Sequence, residues 1–300
     1  MGAVGGYYGG RLAQGGMDVH FLLRSDYDYV KQHGLTVESY MGDFSLTGLN
    51  IYASAAQMPK CDVVLVATKT TANERLPELL LPMMKDDTLI VLAQNGIGVE
   101  ADLQQRLPNA QLAAGIAFIN CRKDGAGKLI HKGYGHITLC SYSCRDAERM
   151  EQVARDFAAA GVRAETGDYT ECRWRKNILN MATNGMTVVC DCRCDELIAD
   201  TDTRERVRTL MMEGIAAARA CGATTLTDEL ADKMIATTGK TEFATSMKYD
   251  YDHHLPMEIE YMYTRPIQEA EKHGCSVPNL RILAEELRKL ESKRATDRTN

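Results

Sequence analysis

Short apolar runs that alternate with helical segments leave a chain few ways to fold, and the first third of this one is built that way. DVHFLL (Asp18 to Leu23), CDVVLVAT (Cys61 to Thr68) and DTLIVLAQ (Asp87 to Gln94) each read as a buried β-strand. Thr70 to Lys85 reads as a crossover broken by Pro77 and Pro82, and Val99 to Leu107 as the next helix. Strands separated in this way form a parallel sheet covered by helices, so the fold class is α/β with a Rossmann-type parallel sheet.

In such a sheet the first strand runs into a turn spaced G-x-G-x-x-G, and the next helix points its N-terminus at a dinucleotide pyrophosphate. The chain opens MGAVGGYYGGRLAQGG, where Gly2 and Gly5 fit the second and third glycines. Gly2-Ala3-Val4-Gly5 is then the turn and Tyr7 to Gln14 the helix behind it. Gly2 would let backbone approach the diphosphate, and Gly5 would let the helix pack closely on the sheet. The first glycine and first strand have no counterpart in these residues. That strand is central in a doubly wound sheet, so its neighbours are expected to be unpaired and the turn unanchored.

Alone, this half-motif fits a glycine-rich leader as well as a phosphate turn. Two cations favour the turn. DVHFLL ends at Arg24, where an NAD site places a carboxylate for the ribose; an arginine suits a 2′-phosphate instead. CDVVLVAT ends at Lys69, at the carboxyl edge where ligands bind. Either residue singly is a surface cation, and together they point to NADPH.

Three hundred residues, 45% hydrophobic, can bury one large or two moderate cores. The net charge of −6 is spread along the chain, which argues against a nucleic-acid surface. No run has the length of a membrane span and the opening residues do not resemble a signal peptide, so a cytoplasmic location is expected. The ten cysteines then read as thiols. Cys190-Asp-Cys-Arg-Cys194 lacks the paired spacing of a zinc site, and no metal is assigned. Tyr7, Tyr8, Tyr249 and Tyr251 are given packing roles.

Past about residue 165 helical periods replace strand signals, which divides the chain into a Rossmann-type domain (1–165) and a helical domain (166–300). Helices are expected over Trp174 to Asn184, Thr203 to Cys221, Thr227 to Thr237, Glu258 to His273 and Ile282 to Ser292, with the final SKRATDRTN frayed. Lys176, Asn180 and Asn184 recur every four residues; at about 100° per residue each step drifts by roughly 40°, so the three share one stripe. It is either a solvated polar face or the lining of a cleft.

These residues carry a family resemblance. GAVGGYYGGRLA, LLR ending at Arg24, ATK ending at Lys69, QNGIG around Asn95, WRKNILNMATN, SMKYD from Ser246, EIEY from Glu258 and HGCSVPN occur in the order of the ketopantoate reductase (2-dehydropantoate 2-reductase) family, which the chain resembles over nearly its whole length. The resemblance implies an NADPH-dependent oxidoreductase of pantothenate biosynthesis with a small 2-oxo acid as substrate. It assigns Lys176 as general acid and makes Asn180, Asn184 and Ser246 the contacts to carboxylate and hydroxyl. Asn95 and Glu258 are placed near both substrate and cofactor. Cys121 stands where the family often has an alanine beside the cofactor, a contact that backbone would preserve. Cys194 stands where the family carries another substrate-binding asparagine, which leaves a reductase of a different 2-oxo acid as an alternative; the first strand without a counterpart leaves another, a non-catalytic NADPH-binding protein. The oligomeric state is open, with a homodimer among the options.

Overall fold

The structure, a computed structural model, describes residues 1–297. The chain forms two compact units, Met1–Gln94 with Glu100–Tyr169, and Asn95–Val99 with the chain from Thr170 onward.

Up to residue 166 the elements are α1 (Ala3–Gln14), β1 (His20–Leu22), α2 (Tyr27–His33), β2 (Leu35–Ser39), β3 (Phe44–Leu46), β4 (Asn50–Tyr52), β5 (Cys61–Val66), α3 (Leu76–Leu80), β6 (Met84–Leu92), α4 (Val99–Arg106), β7 (Gln111–Lys123), β8 (Lys128–Ser141), α5 (Ala147–Ala159) and β9 (Ala164–Thr166). The main sheet runs β3-β2-β8-β7-β6-β5, with β9 beside β8. β5, β6 and β7 are parallel, Val63 lying opposite Leu89 and Leu89 opposite Gln111, as strands joined by crossovers must be. The long antiparallel hairpin β7–β8 makes the sheet mixed. Its register shifts at Phe118/Ile119 and Asn120/Cys121, and such irregularities break the period-two pattern by which a strand is read from sequence.

The strands on either side of the glycine turn do not pair: among the described residues β1 bonds only β4, and β5 only β6. Val63, Val64 and Leu65 of β5 are accordingly half-buried, while Leu89, Ile90 and Leu92 of β6 are fully buried. Packing nevertheless anchors α1. It begins at Ala3, earlier than expected, with Gly5 in its first turn. A Cβ on Gly5 would lie 3.3 Å from the Ala67 Cβ, and one on Gly9 only 2.6 Å from the Phe21 ring, so glycine allows the close approach. Tyr7 and Tyr8 are buried, and the Tyr8 hydroxyl donates to the His136 carbonyl at 3.0 Å. They pack with Leu35, Val37, Leu89, Ile137 and, from α5, Val153 and Phe157.

The second unit contains α6 (Tyr169–Val189), α7 (Cys194–Ala199), α8 (Thr201–Ala220), α9 (Glu229–Thr238), α10 (Ser246–Asp252), a π-helical turn (Glu260–Thr264), α11 (Arg265–Lys272) and α12 (Pro278–Asp297). Trp174, Ile178, Met181 and Met186 of α6 share its core with Met211 and Ile215 of α8 and Leu283 and Leu287 of α12. Two local expectations are corrected. The segment read as one helix from Glu258 starts one residue later and is interrupted by the π-turn. The expected frayed end is helical as far as Asp297, and residues 298–300 lie outside the described residues. No helix among the described residues is long and apolar enough to cross a membrane.

Candidate active site

The polar stripe of α6 is not a solvated face. Asn180 and Asn184 are buried, so their carboxamides must be satisfied from within the protein, and Lys176 is half-buried. Asn180 Nδ2 donates to Asn95 Oδ1 at 3.4 Å, and Asn184 Oδ1 accepts from the Met247 N–H at 3.4 Å. Burial, with the charge of Arg173 one turn earlier on α6, lowers the Lys176 pKa from 10.5 to about 8.

Asn95 is presented by a tight turn. Gly96 has φ 102°, and a Cβ there would stand 2.4 Å from the Tyr261 carbonyl oxygen, so the position requires glycine. The Ile97 N–H donates to that same oxygen at 2.8 Å. The π-turn thus holds the QNGIG segment, and Glu258, 6% exposed, immediately precedes the helical residues that lead into it. π-Turns of this kind recur at functional sites. Ser246 opens α10 and is exposed, with Thr245 as N-cap accepting from the Lys248 N–H at 3.2 Å.

In the first unit Gly2 caps α1 in an extended conformation, and the first bond of the helix runs from the Gly6 N–H to the Gly2 carbonyl at 2.9 Å. The N–H groups of Ala3, Val4 and Gly5 therefore lack intrahelical acceptors. The Cys121 thiol donates to the Ala3 carbonyl at 3.8 Å, which brings it to the turn from far along the sequence; burial pushes this thiol up to about 12. Lys69 is exposed at the N-cap of a 3₁₀ turn, Thr70–Arg75. Gln94 holds that turn in place, its Nε2 donating to Thr68 O at 2.9 Å and Asn73 Oδ1 at 2.7 Å. Arg24 is exposed after β1, and its segment is anchored two residues on by Asp26. Burial pushes the Asp26 carboxyl up, but Lys123 at 2.5 Å, the N-terminal amine and Ser25 outweigh it and hold the pKa at about 2.

The expected site residues therefore divide between the units, with Gly2, Ala3, Val4, Gly5, Arg24, Lys69 and Cys121 in the first and Asn95, Lys176, Asn180, Asn184, Ser246 and Glu258 in the second. Sequence reasoning missed Arg173, Gln94, Asn73 and the π-turn. Arg173, three residues before Lys176, and Gln94, the first residue of QNGIG, left a signal in the sequence. Cys194 is buried at the start of α7, its N–H donating to the Phe243 carbonyl at 3.4 Å, and burial raises its thiol pKa to about 11. The cysteines are free, and no three His, Cys, Asp or Glu side chains among the described residues converge as a metal site.

Residues 1–143 match the family model described as "Ketopantoate reductase PanE/ApbA" and residues 168–291 its C-terminal counterpart. The chain belongs to the ketopantoate reductase family. A 2-dehydropantoate 2-reductase of Nostoc sp. is 42% identical over 98% of this chain and 94% of its own length. The crystal structure of the Geobacter metallireducens 2-dehydropantoate 2-reductase superposes with a TM-score of 0.93 at 35% identity, covering 96% of this chain and 97% of that one. The Methylococcus capsulatus structure gives 0.89 at 29% identity, over 98% and 96%. Ketopantoate reductases are oxidoreductases that reduce ketopantoate to pantoate and use NADPH.

Proposed function

We propose that this chain reduces 2-dehydropantoate to pantoate with NADPH. When bound, the cofactor supplies the hydride that the carbonyl carbon receives. Lys176 holds the proton that passes to the carbonyl oxygen as it becomes a hydroxyl, so oxo acid, NADPH and one proton give hydroxy acid and NADP⁺. Asn180, Asn184 and Ser246 bind the carboxylate and the existing hydroxyl, and Asn95 and Glu258 orient the reacting carbonyl. The observation that carries this reading is Lys176 itself, lowered to about 8 on a helix face beside two buried carboxamides. An acid of that strength is matched to proton transfer near neutral pH.

The first-unit residues fit the cofactor's chemistry. The free N–H groups at the start of α1 suit a pyrophosphate, and Cβ-free Gly2 leaves room for it, its nearest neighbour being the Ala67 carbonyl oxygen at 3.9 Å from where a Cβ would be. Arg24 would take the 2′-phosphate and Lys69 a second anionic group, with Cys121 beside the turn. A homodimer and a cytoplasmic location accompany this reading, and light scattering measures the first.

Purified protein should oxidise NADPH when given ketopantoate. Lys176→Ala should lower kcat by about 10²- to 10⁴-fold while the NADPH dissociation constant stays unchanged. Intact turnover would remove Lys176 from its role.

Cys194 favours a second reading, the same chemistry on a different 2-oxo acid. A buried thiol is a weak donor and cannot reproduce the bonds of a carboxamide. Specificity constants across a panel of oxo acids decide between the two, and ketopantoate ranking far below another acid would select the second.

A further inference from the structure

The segment from Cys190 to Cys194 leads from α6 to α7. Within it Asp191 sits at φ 50°, a left-handed conformation that aspartate adopts more readily than most side chains and that here closes the end of α6, with the Cys192 N–H donating to the Thr187 carbonyl at 3.2 Å. Lys248 of α10 is 7% exposed and places its ammonium 2.8 Å from Asp191 Oδ1. The same ammonium bonds Asp252, one turn further along α10, which aims it.

Around this pair the two segments are laced together. The hydroxyls of Thr187 and Thr245 lie 2.8 Å apart, and the Met247 N–H reaches Asn184 Oδ1. The Cys194 N–H reaches Phe243 O, and the Asp195 N–H reaches Thr241 O at 3.1 Å. Ser246 lies between Thr245 and Met247, both tied to α6. Among these links the Lys248–Asp191 contact is the ionic one, and it joins α10 to the segment that carries Cys194.

We infer that Lys248 and Asp191 are positioning residues that fix Ser246 against Asn184 and thereby set the affinity for the 2-oxo acid. This rests on the reading that Ser246 and Asn184 hold that acid. The pair touches no reacting atom, so its loss should act on substrate affinity rather than on the chemical step.

The test is steady-state kinetics of the full chain with ketopantoate. Lys248→Met should raise the KM for ketopantoate about tenfold, with kcat and the KM for NADPH within about twofold of the parent. Lys248→Arg should restore most of the affinity. Because Lys248 is buried and its loss could unfold the protein, Asp191→Asn provides a second arm: its side chain is 85% exposed, and asparagine tolerates the left-handed backbone. It should raise the same KM about threefold, the contact being partly solvated. An unchanged ketopantoate KM in Asp191→Asn, or in folded Lys248→Met, overturns the inference, as does a fall in kcat with KM constant. Ser246→Ala and Asn184→Ala separate the two levels. If these leave KM unchanged, the assignment of the oxo acid site fails; if they raise it while Asp191→Asn does not, only the positioning role fails.

Discussion

The lowered pKa of Lys176 fixes two measurable curves. Burial, with Arg173 adding its charge, brings the ammonium from 10.5 to about 8. Ionisations of the free enzyme appear in kcat/KM, so that quantity for the oxo acid should be level below about pH 7 and fall about tenfold per unit above about pH 8, as the proton donor is lost. An unshifted lysine would keep it level to about pH 9.5. The same shift bears on stability. The gap between 10.5 and about 8 corresponds to about 3 kcal/mol. The folded state holds this proton less tightly than the unfolded one. Below about pH 8 both states are protonated and the folded protein carries the whole penalty, which is relieved as pH rises from about 8 to about 10.5. Lys176→Met keeps the apolar stem and removes the charge. It should therefore be more stable than the parent by up to about 3 kcal/mol at pH 7, with the difference shrinking towards pH 10, and it should lose turnover. Urea unfolding at both pH values and the kcat/KM profile measure the two effects. A limb beyond about pH 9.5, or a methionine variant less stable than the parent at pH 7, refutes the account of Lys176 as a desolvated acid.

Arg24→Ala should weaken NADPH binding about 10- to 100-fold and leave NADH binding nearly unchanged, because only the former carries the 2′-phosphate; calorimetry with both nucleotides checks this. Gly96→Ala should cost about 3 kcal/mol or more in urea unfolding, since its Cβ would meet the Tyr261 carbonyl oxygen at 2.4 Å with φ at 102°, and the displaced Asn95 should lower kcat/KM in whatever protein remains folded. Gln94→Met removes the donor shared by Thr68 and Asn73, and is expected to cost about 1–3 kcal/mol and to raise the NADPH dissociation constant several-fold through the Lys69 turn.

What the residues determined by themselves was local. Apolar runs bounded by turns marked β1, β5 and β6, and a four-residue repeat placed Lys176, Asn180 and Asn184 on one stripe, because strand and helix periods are properties of a single stretch of backbone. Motif order carried the family. Tertiary structure decided the rest. The β7–β8 hairpin escaped because its register shifts erase the period that would announce it. Whether the stripe faced solvent was equally open, since both alternatives share one periodicity. Asn180 is bonded to Asn95, 85 residues away, only because a glycine lets the QNGIG turn close on a π-turn that no propensity encodes. The acidity of Lys176 is likewise absent from the sequence: the residue type supplies an amine, and the desolvation that brings it to about 8 comes from neighbours gathered by the fold.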